Sequence, residues 1–417
     1  MDTMHRVRQD CRLCRATSVE KVLSLTPTPP ANELLASPED AATQDRFPLD
    51  LYFCKNCYHL QLLDIINPER LFSNYVYVSG TSPSFRDHFH QYATRIITDY
   101  AIPKDSLIVD IGSNDGTLLF SFKEAGMRVQ GVDPARDIAT AANARGIDTI
   151  VDFLTVATAQ NIKNSKGPAK VVVANNVFAH IDDLHGILQC IDIILDDDGI
   201  FVIEVSYLKD VIEKTLFDTI YHEHLDYHSV GPLKTFFTNN GFSMIDVIAI
   251  ESHGGSIRVV AQKKSGKHEE RSSVASFIAE EESAGLYSAE TFREFAHKIN
   301  HLGNELQKLI TGIKAEGKSI AGFGLPAKAT TLMHQFKIGP EAVDYVVDDN
   351  PLKQGMYSPG YGIPIHDSGR LRTETPDYII VLAWNFSRPI IDKLNWYLKE
   401  GGTIIVPLPT LTLVKNQ

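Results

Sequence analysis

Apolar residues in the middle of the chain come in short β-rich runs: SLIVDIG (106–112), RVQGVDP (128–134), TIVDF (149–153), KVVVANN (170–176) and GIFVIEVS (199–206). Stretches of helical character separate most of them. Strand and helix in alternation predict an α/β domain with a mostly parallel, doubly wound sheet and ligands at the carboxyl ends of its strands. Two further runs, FSMIDVIAI and SIRVVAQKK, are joined by ESHGG and read as an antiparallel pair closing one edge. Phe292, Phe295, Ile299, Leu302, Leu306 and Ile310 then recur at three- and four-residue steps. That spacing predicts a helix laying an apolar stripe on a neighbouring domain. A strand and helix in SIAGFGLPAKATTLM, with a second strand in DYVVDDNPLKQG, predict a smaller α/β unit at the C-terminus.

The N-terminal part lacks this alternation and contains loops such as LTPTPPANEL. The expected division is therefore a lobe over 1–82, a central domain over 83–265, and a helical linker plus C-terminal α/β domain over 266–417. A chain of 417 residues is long enough for several cores. With 43% hydrophobic and 22% charged residues it has the balance of a globular protein. Its net charge of −12 argues against nucleic acid or an anionic membrane as partner. No apolar run approaches the ~20 residues a membrane span needs, and the start MDTMHRVRQD has no signal-type apolar region. A cytoplasmic location is expected.

Four of the five cysteines form two Cys-x-x-Cys pairs, Cys11 with Cys14 and Cys54 with Cys57. In a reducing compartment such pairs offer four thiolates to one tetrahedral zinc. Four protein ligands leave no open coordination position, so the zinc is structural. The competing reading is two unconnected pairs, one of them redox-active. Cys190, in an amphipathic helix, reads as a core residue.

The loop DIGSNDGTLL follows the first strand of the alternating region. Gly112 and Gly116 let backbone approach a ligand closely, and the helix that follows starts with unpaired amides. The spacing is Gly-x-x-x-Gly, so the dinucleotide fingerprint is absent here. Asp133, 21 residues beyond Gly112, ends the next strand and can accept two ribose hydroxyls. Strand, loop and second-strand acid together resemble the S-adenosylmethionine site of a class I methyltransferase. On that resemblance Asp110 serves the amino acid end of the cofactor, Asp152 or Phe153 the adenine, and Asn114 and Asn175 complete the contacts.

Near the C-terminus Gly322, Gly324 and Ala327 do form Gly-x-Gly-x-x-Ala between a strand and a helix, with Asp348 and Asp349 ending the next strand. By itself this is a dinucleotide fingerprint, and it supports a nicotinamide-dependent sugar dehydrogenase or epimerase. Only 94 residues run from Gly324 to Gln417, enough for about half of such a fold.

The densest polar stretch is YHEHLDYHSV, 221–230. It lacks the His-Glu-x-x-His spacing of a zinc protease, although His224 and His228 could share a metal on a helix. A solvated helix face is the plain alternative. Histidine, tyrosine and glutamate side by side favour proton transfer.

CRLC, CKNC, YVYVSGTSPSFRDHF, DIGSNDGTLL, NNVFAHI and YHEHLDYHS stand in the order seen in nucleotide-sugar C-methyltransferases, which act at C3 of 4-keto-6-deoxy sugars in deoxysugar biosynthesis. The chain resembles that family along nearly its whole length. The resemblance implies a zinc-binding N-terminal lobe, a central Rossmann-like domain for S-adenosylmethionine, and a C-terminal domain that helps hold the nucleotide sugar. It makes His224 the base that removes the proton beside the ketone, and Glu223 a residue that orients sugar hydroxyls or tunes local charge. Tyr221 and His180 are candidates for supporting the enolate or for reprotonation. Tyr75 closes over the sugar, with Tyr77 as the alternative. Lys328 and the backbone at the helix start meet phosphate, with Asn385 and Arg388 in reach of the same ligand. The family mildly favours a monomer. A methyltransferase-like binding protein without chemistry would lack the 221–224 cluster and the intact Gly112 loop.

Overall fold

The computed structural model describes residues 4–72 and 83–416. The N-terminal lobe holds β1 (His5–Val7), β2 (Val19–Thr28), β3 (Phe47–Cys54), β4 (Leu60–Leu62) and β5 (Asp64–Ile66). β2, β3 and β4 form an antiparallel sheet, and β1 pairs with β5. β3 shows why this segment is a strand: Phe47, Leu49, Leu51 and Phe53 are buried while Pro48, Asp50 and Tyr52 between them are more open, the period-two pattern of a half-covered sheet.

The central sheet contains β6 (Leu107–Ile111), β7 (Arg128–Val132), β8 (Thr149–Ile150), β9 (Ala169–Asn175) and β10 (Leu195–Ser206), all parallel. β11 (Asp226–Tyr227) leaves this domain and pairs with β4 of the lobe. β12 (Phe242–Ile250) and β13 (Ser256–Lys263) are the expected antiparallel pair, with β13 on β10. The order is β12-β13-β10-β9-β6-β7-β8. β6 is buried at every position, as a central strand covered by helices on both faces must be.

The C-terminal sheet has β14 (Ile320–Phe323), β15 (Tyr345–Val347), β16 (Ile365–His366), β17 (Tyr378–Val381), β18 (Thr403–Val406) and β19 (Thr412–Val414), in the order β16-β15-β14-β17-β18-β19. All are parallel except β19. The long helix Ala289–Ala315 buries the six stripe residues expected from the sequence, together with Ile313. Its Phe292 ring lies 5.5 Å from that of Phe53 in the lobe. Each fully buried phenylalanine contributes about 1.5–3 kcal/mol.

The cores cross the sequence divisions. One joins β2–β4, the segment around Leu208–Ile220, the long helix and the C-terminal sheet. Another joins Cys11, Leu13, Cys54 and Cys57 to one face of the central sheet, where Cys190 is also buried. The other face of that sheet packs on Phe89, Tyr92 and Ile96 of the helix Pro83–Asp99. No helix among the described residues is long and apolar enough to cross a membrane.

Candidate active site

The loop after β6 is a cradle shaped by two strand ends. Gly112 has φ +66°, and its amide donates to the Val132 carbonyl at 2.8 Å. A Cβ there would lie 2.4 Å from Val177 Cγ2, so only glycine lets the chain pass. Gly116, φ +76°, precedes the helix Thr117–Glu124. Asp133 is nearly buried at the end of β7, and its two carboxylate oxygens accept the amides of Asn114 and Ala135, each at 2.8 Å. The acid therefore aligns the Gly112–Gly116 loop as well as offering its remaining lone pairs to a diol.

Asp110 is buried 4% exposed, and burial, with the charge of Asp133 adding to it, pushes its carboxyl well above the usual range. No cation pairs with it among the described residues. The ammonium of an amino acid ligand would relieve that cost, and Asn175, at the end of β9, has both amide atoms buried without a hydrogen-bond partner among the described residues. A buried acid, an orphaned amide and a glycine turn fit S-adenosylmethionine. Past β8, Phe153 is partly exposed on the rim, and its amide donates to Asp152 at 2.8 Å.

The 221–228 stretch is not a helix. It is a turn followed by β11, and together with the Asp218–Ile220 segment leading into it is held by all three parts of the molecule. Leu208 N–H donates to His228 O at 2.9 Å, which returns the stretch to the mouth of β10. Leu225 N–H donates to Ala179 O at 2.8 Å, joining it to the turn Phe178–His180 beyond β9. On the C-terminal side Thr331 Oγ1 donates to Ile220 O at 2.8 Å, and Trp384 Nε1 to buried Asp218 at 2.6 Å.

Within the turn, His224 Nδ1 lies 2.7 Å from Thr219 O. A carbonyl only accepts, so Nδ1 carries the proton and the basic lone pair sits on Nε2. The His180 ring is 5.0 Å and the Tyr221 ring 4.1 Å from that of His224. Phe72 stacks on His180 at 5.5 Å. Burial, with the neighbouring His224 second, drives His180 well below the ordinary histidine range, so it is a neutral imidazole. Glu223 is buried, and Asn32 Nδ2 of the lobe donates to its Oε1 at 2.7 Å. A cavity of about 30 Å³ opens between His180, His224, Asn176, Ser206 and Thr219, room for about one water.

The other two histidines of the stretch do different work. His222 points into the lobe with Nε2 at 3.2 Å from Pro48 O, and His228 is fully buried, stacked on His59 at 5.6 Å. The stretch is therefore not a solvated helix face, and the helical four-residue spacing by which His224 and His228 would share a metal is not formed. Tyr75 and Tyr77 lie outside the described residues.

The four sulfur atoms of Cys11, Cys14, Cys54 and Cys57 lie within 4.8 Å of one another, with Cys11–Cys57 and Cys14–Cys54 at 3.5 Å. A disulfide needs about 2.0 Å, whereas the edge of a tetrahedron with Zn–S near 2.3 Å is roughly 3.8 Å. Both pairs close alike: Arg15 N–H donates to Cys11 O and Tyr58 N–H to Cys54 O at 2.8 Å, each from a residue with positive φ. The site fits one zinc, which is structural because four protein ligands leave no open position.

In the C-terminal domain the Gly324 turn repeats the Gly112 turn. Gly324 has φ +79° and donates to Val347 O at 2.7 Å, and Asp348 accepts the amides of Leu325 and Asn350. Here, however, Lys353 Nζ donates to Leu325 O at 2.6 Å and lies 3.9 Å from Asp348. Lys328, in the first turn of the helix Ala327–Gln335, faces Asp218 at 3.9 Å and the Trp384 ring at 4.8 Å. Asn385 has its Oδ1 buried without a hydrogen-bond partner among the described residues, and Arg388 is exposed on the helix Ser387–Lys393. Asp349 is taken by Lys393 at 2.6 Å.

Asn32 and Thr219 were not legible as site residues. Asn32 is 191 positions from its partner, and Thr219 acts through a backbone oxygen that any residue possesses.

This is a class I methyltransferase fold with an S-adenosylmethionine cradle and a structural zinc lobe. Residues 85–247 match the family described as "Methyltransferase domain", residues 11–72 a "Putative zinc binding domain" and residues 251–409 a "C-methyltransferase C-terminal domain". The chain is 37% identical over 409 residues to the C-methyltransferase NovU of Streptomyces niveus, covering 98% of this chain and 97% of that protein. It belongs to the C-methyltransferase family. A mitochondrial ubiquinone biosynthesis O-methyltransferase of Bos taurus is 25% identical over 158 residues, 34% of this chain and 43% of its own. Among solved structures, the SAM-bound magnesium protoporphyrin IX methyltransferase of Synechocystis PCC 6803 is similar at TM-score 0.33 and 15% identity, covering 43% of this chain and 79% of that one. The Gly322–Ala327 loop thus lies in a C-methyltransferase domain, and the nicotinamide reading of it is set aside.

Proposed function

We propose that this C-methyltransferase acts on C3 of a nucleoside-diphosphate 4-keto-6-deoxy sugar. The observation that carries the reading is the His224 ring, whose Nδ1–H is committed to Thr219 O, with neutral His180 and Tyr221 packed on it. A carbon beside a ketone becomes a nucleophile only when its proton is removed, and S-adenosylmethionine supplies the electrophilic methyl group. His224 Nε2 takes the proton from C3. The C–H electron pair moves into the C3–C4 bond, and charge collects on the ketone oxygen. Tyr221 or His180 donates a hydrogen bond to that oxygen, where a preorganised donor is worth most. Glu223, held by Asn32, orients sugar hydroxyls. The carbon then takes the methyl group as the S–CH₃ bond breaks and S-adenosylhomocysteine leaves. Lys328, Asn385 and Arg388, at the carboxyl ends of β14 and β17, are proposed to meet the nucleotide diphosphate, with Tyr75 or Tyr77 over the sugar.

The test is mass spectrometry of the protein mixed with S-adenosylmethionine and a panel of nucleotide-linked 4-keto-6-deoxy sugars. One CH₂ unit gained by one sugar identifies the nucleotide, and NMR places the methyl. No gain on any sugar, with S-adenosylmethionine binding intact, rejects the substrate class.

A further inference from the structure

Arg12 lies inside the first zinc knuckle, between Cys11 and Cys14, and its side chain is fully buried. A knuckle that served only to close the lobe would need no charge at this position. A buried guanidinium is costly unless its N–H groups find acceptors; here Nε and Nη1 do, while Nη2 has none among the described residues. This one reaches out of the knuckle. Nε donates to Asp182 Oδ1 at 3.0 Å, and Nη1 donates to Gln61 Oε1 at 3.1 Å, to Leu62 O, and more weakly to Leu225 O at 3.4 Å. Asp226 Oδ2 lies 3.9 Å from Nε.

Two of these acceptors flank the proposed chemistry. Asp182 is two residues beyond His180, and Leu225 follows His224 directly. The Leu225 carbonyl also accepts Leu62 N–H at 2.9 Å, while its amide donates to Ala179 O. Asp182 is gathered by three guanidiniums: burial alone would raise its carboxyl, but Arg12, Arg6 and Arg8 hold it below the usual range. Arg8 Nη1 reaches both the Asp182 carboxylate and its backbone carbonyl at 3.1 Å.

We propose that Arg12 is a positioning residue that ties the zinc knuckle to both histidine-bearing turns and so sets the approach of His180 to His224. The planar fork suits this, because it holds several acceptors at fixed angles, which a lysine ammonium on a flexible stem does not. The zinc would then act on the reaction at a distance, by fixing the backbone from which Arg12 extends. A displacement of about 1 Å in such a site costs on the order of 100-fold in rate. The inference rests on His224 and His180 being the reacting pair.

The test uses the full chain as Arg12→Lys and, separately, as Asp182→Asn. Zinc per chain is measured by plasma mass spectrometry, S-adenosylhomocysteine affinity by calorimetry, kcat and KM by product mass, and the ring environment by ¹³C NMR of labelled histidine, assigned with His180→Gln and His224→Asn. The expected result is one zinc per chain, cofactor affinity and KM within about threefold of the parent, kcat lower by roughly 30- to 100-fold, and a shifted His224 ring signal. Unchanged kcat and ring signals in both variants overturn the proposal, as does a kcat loss that only tracks loss of zinc and of cofactor affinity. If Arg12→Lys does not fold, Asp182→Asn decides, since Asp182 lies outside the knuckle and keeps some solvent contact. Full activity in His224→Asn would instead reject the base assignment, whatever the other two variants do.

Discussion

The carbonyl of Thr219 and the ring of His224 form a 2.7 Å hydrogen bond that decides which imidazole nitrogen is basic. Replacing His224 by asparagine keeps a polar side chain but removes the proposed base. Methyl transfer should fall about 10²- to 10⁴-fold, the usual worth of a general base. S-adenosylhomocysteine affinity should be unchanged, because the cradle at Gly112 is built from other strands. Loss of solvent deuterium uptake at the substrate carbon in this variant would locate the defect in proton removal; retained uptake would move the base elsewhere.

Gly112→Ala addresses the cofactor cradle. An L-residue at φ +66° costs roughly 1–2 kcal/mol, and its Cβ would be forced against Val177. S-adenosylmethionine binding, measured by calorimetry, should weaken at least about tenfold, while zinc content stays at one per chain. Undiminished affinity would show that the loop tolerates a side chain and that the cradle lies elsewhere.

Zinc removal should reach beyond the lobe. Cys11, Cys54 and Cys57 share a core with one face of the central sheet, and β11 hangs on β4. A structural zinc contributes roughly 10 kcal/mol. Chelation should therefore raise hydrogen exchange in β3, β4 and β11 together and lower the melting temperature of the whole chain. A protein purified without zinc at full stability would refute this.

Two buried histidines set a pH dependence. Burial pushes His222 down to about 4, partly opposed by the carbonyls of Phe47 and Pro48, and His228 down to about 3. Unfolded histidine titrates near 6.5. Their folded pKa values are depressed, so between about pH 6.5 and 4 the unfolded chain binds protons that the folded chain refuses. Stability falls as pH falls through that window, by on the order of 3 kcal/mol for His222. The urea midpoint compared at pH 7.5 and 5 should shift less in His222→Gln than in the parent. Equal shifts in the two proteins would place another group in control.

The alternating middle of the chain was readable because each β-run is short and the helices between have their own period. β6, β7, β9 and β10 appear where their runs stand, and the antiparallel pair closes the edge as expected. The third run was only partly realised: TIVDF yields two residues of strand at an edge, where fewer ladder bonds hold it. Cys-x-x-Cys spacing identified the metal lobe because tetrahedral coordination demands four like ligands in two short turns. The polar run 221–228 announced chemistry but not its shape, since neither period nor propensity says that four histidine and glutamate side chains will divide between a site and a core.

What the sequence determined by itself, then, was local: element type, the glycine turn at Gly112, the second-strand acid Asp133, the four thiolates, and the kind of residues available for proton transfer. These follow from backbone sterics, side-chain period and ligand number, all of which act over a few residues. Only the tertiary structure decided that the His224 and His180 rings are neighbours while His222 and His228 are core, that Asn32 holds Glu223, and that Arg12 reaches from the knuckle to both turns. Those relationships join positions 44 to 213 residues apart. They depend on burial against other domains, and burial is a property of the packed chain rather than of any stretch of it.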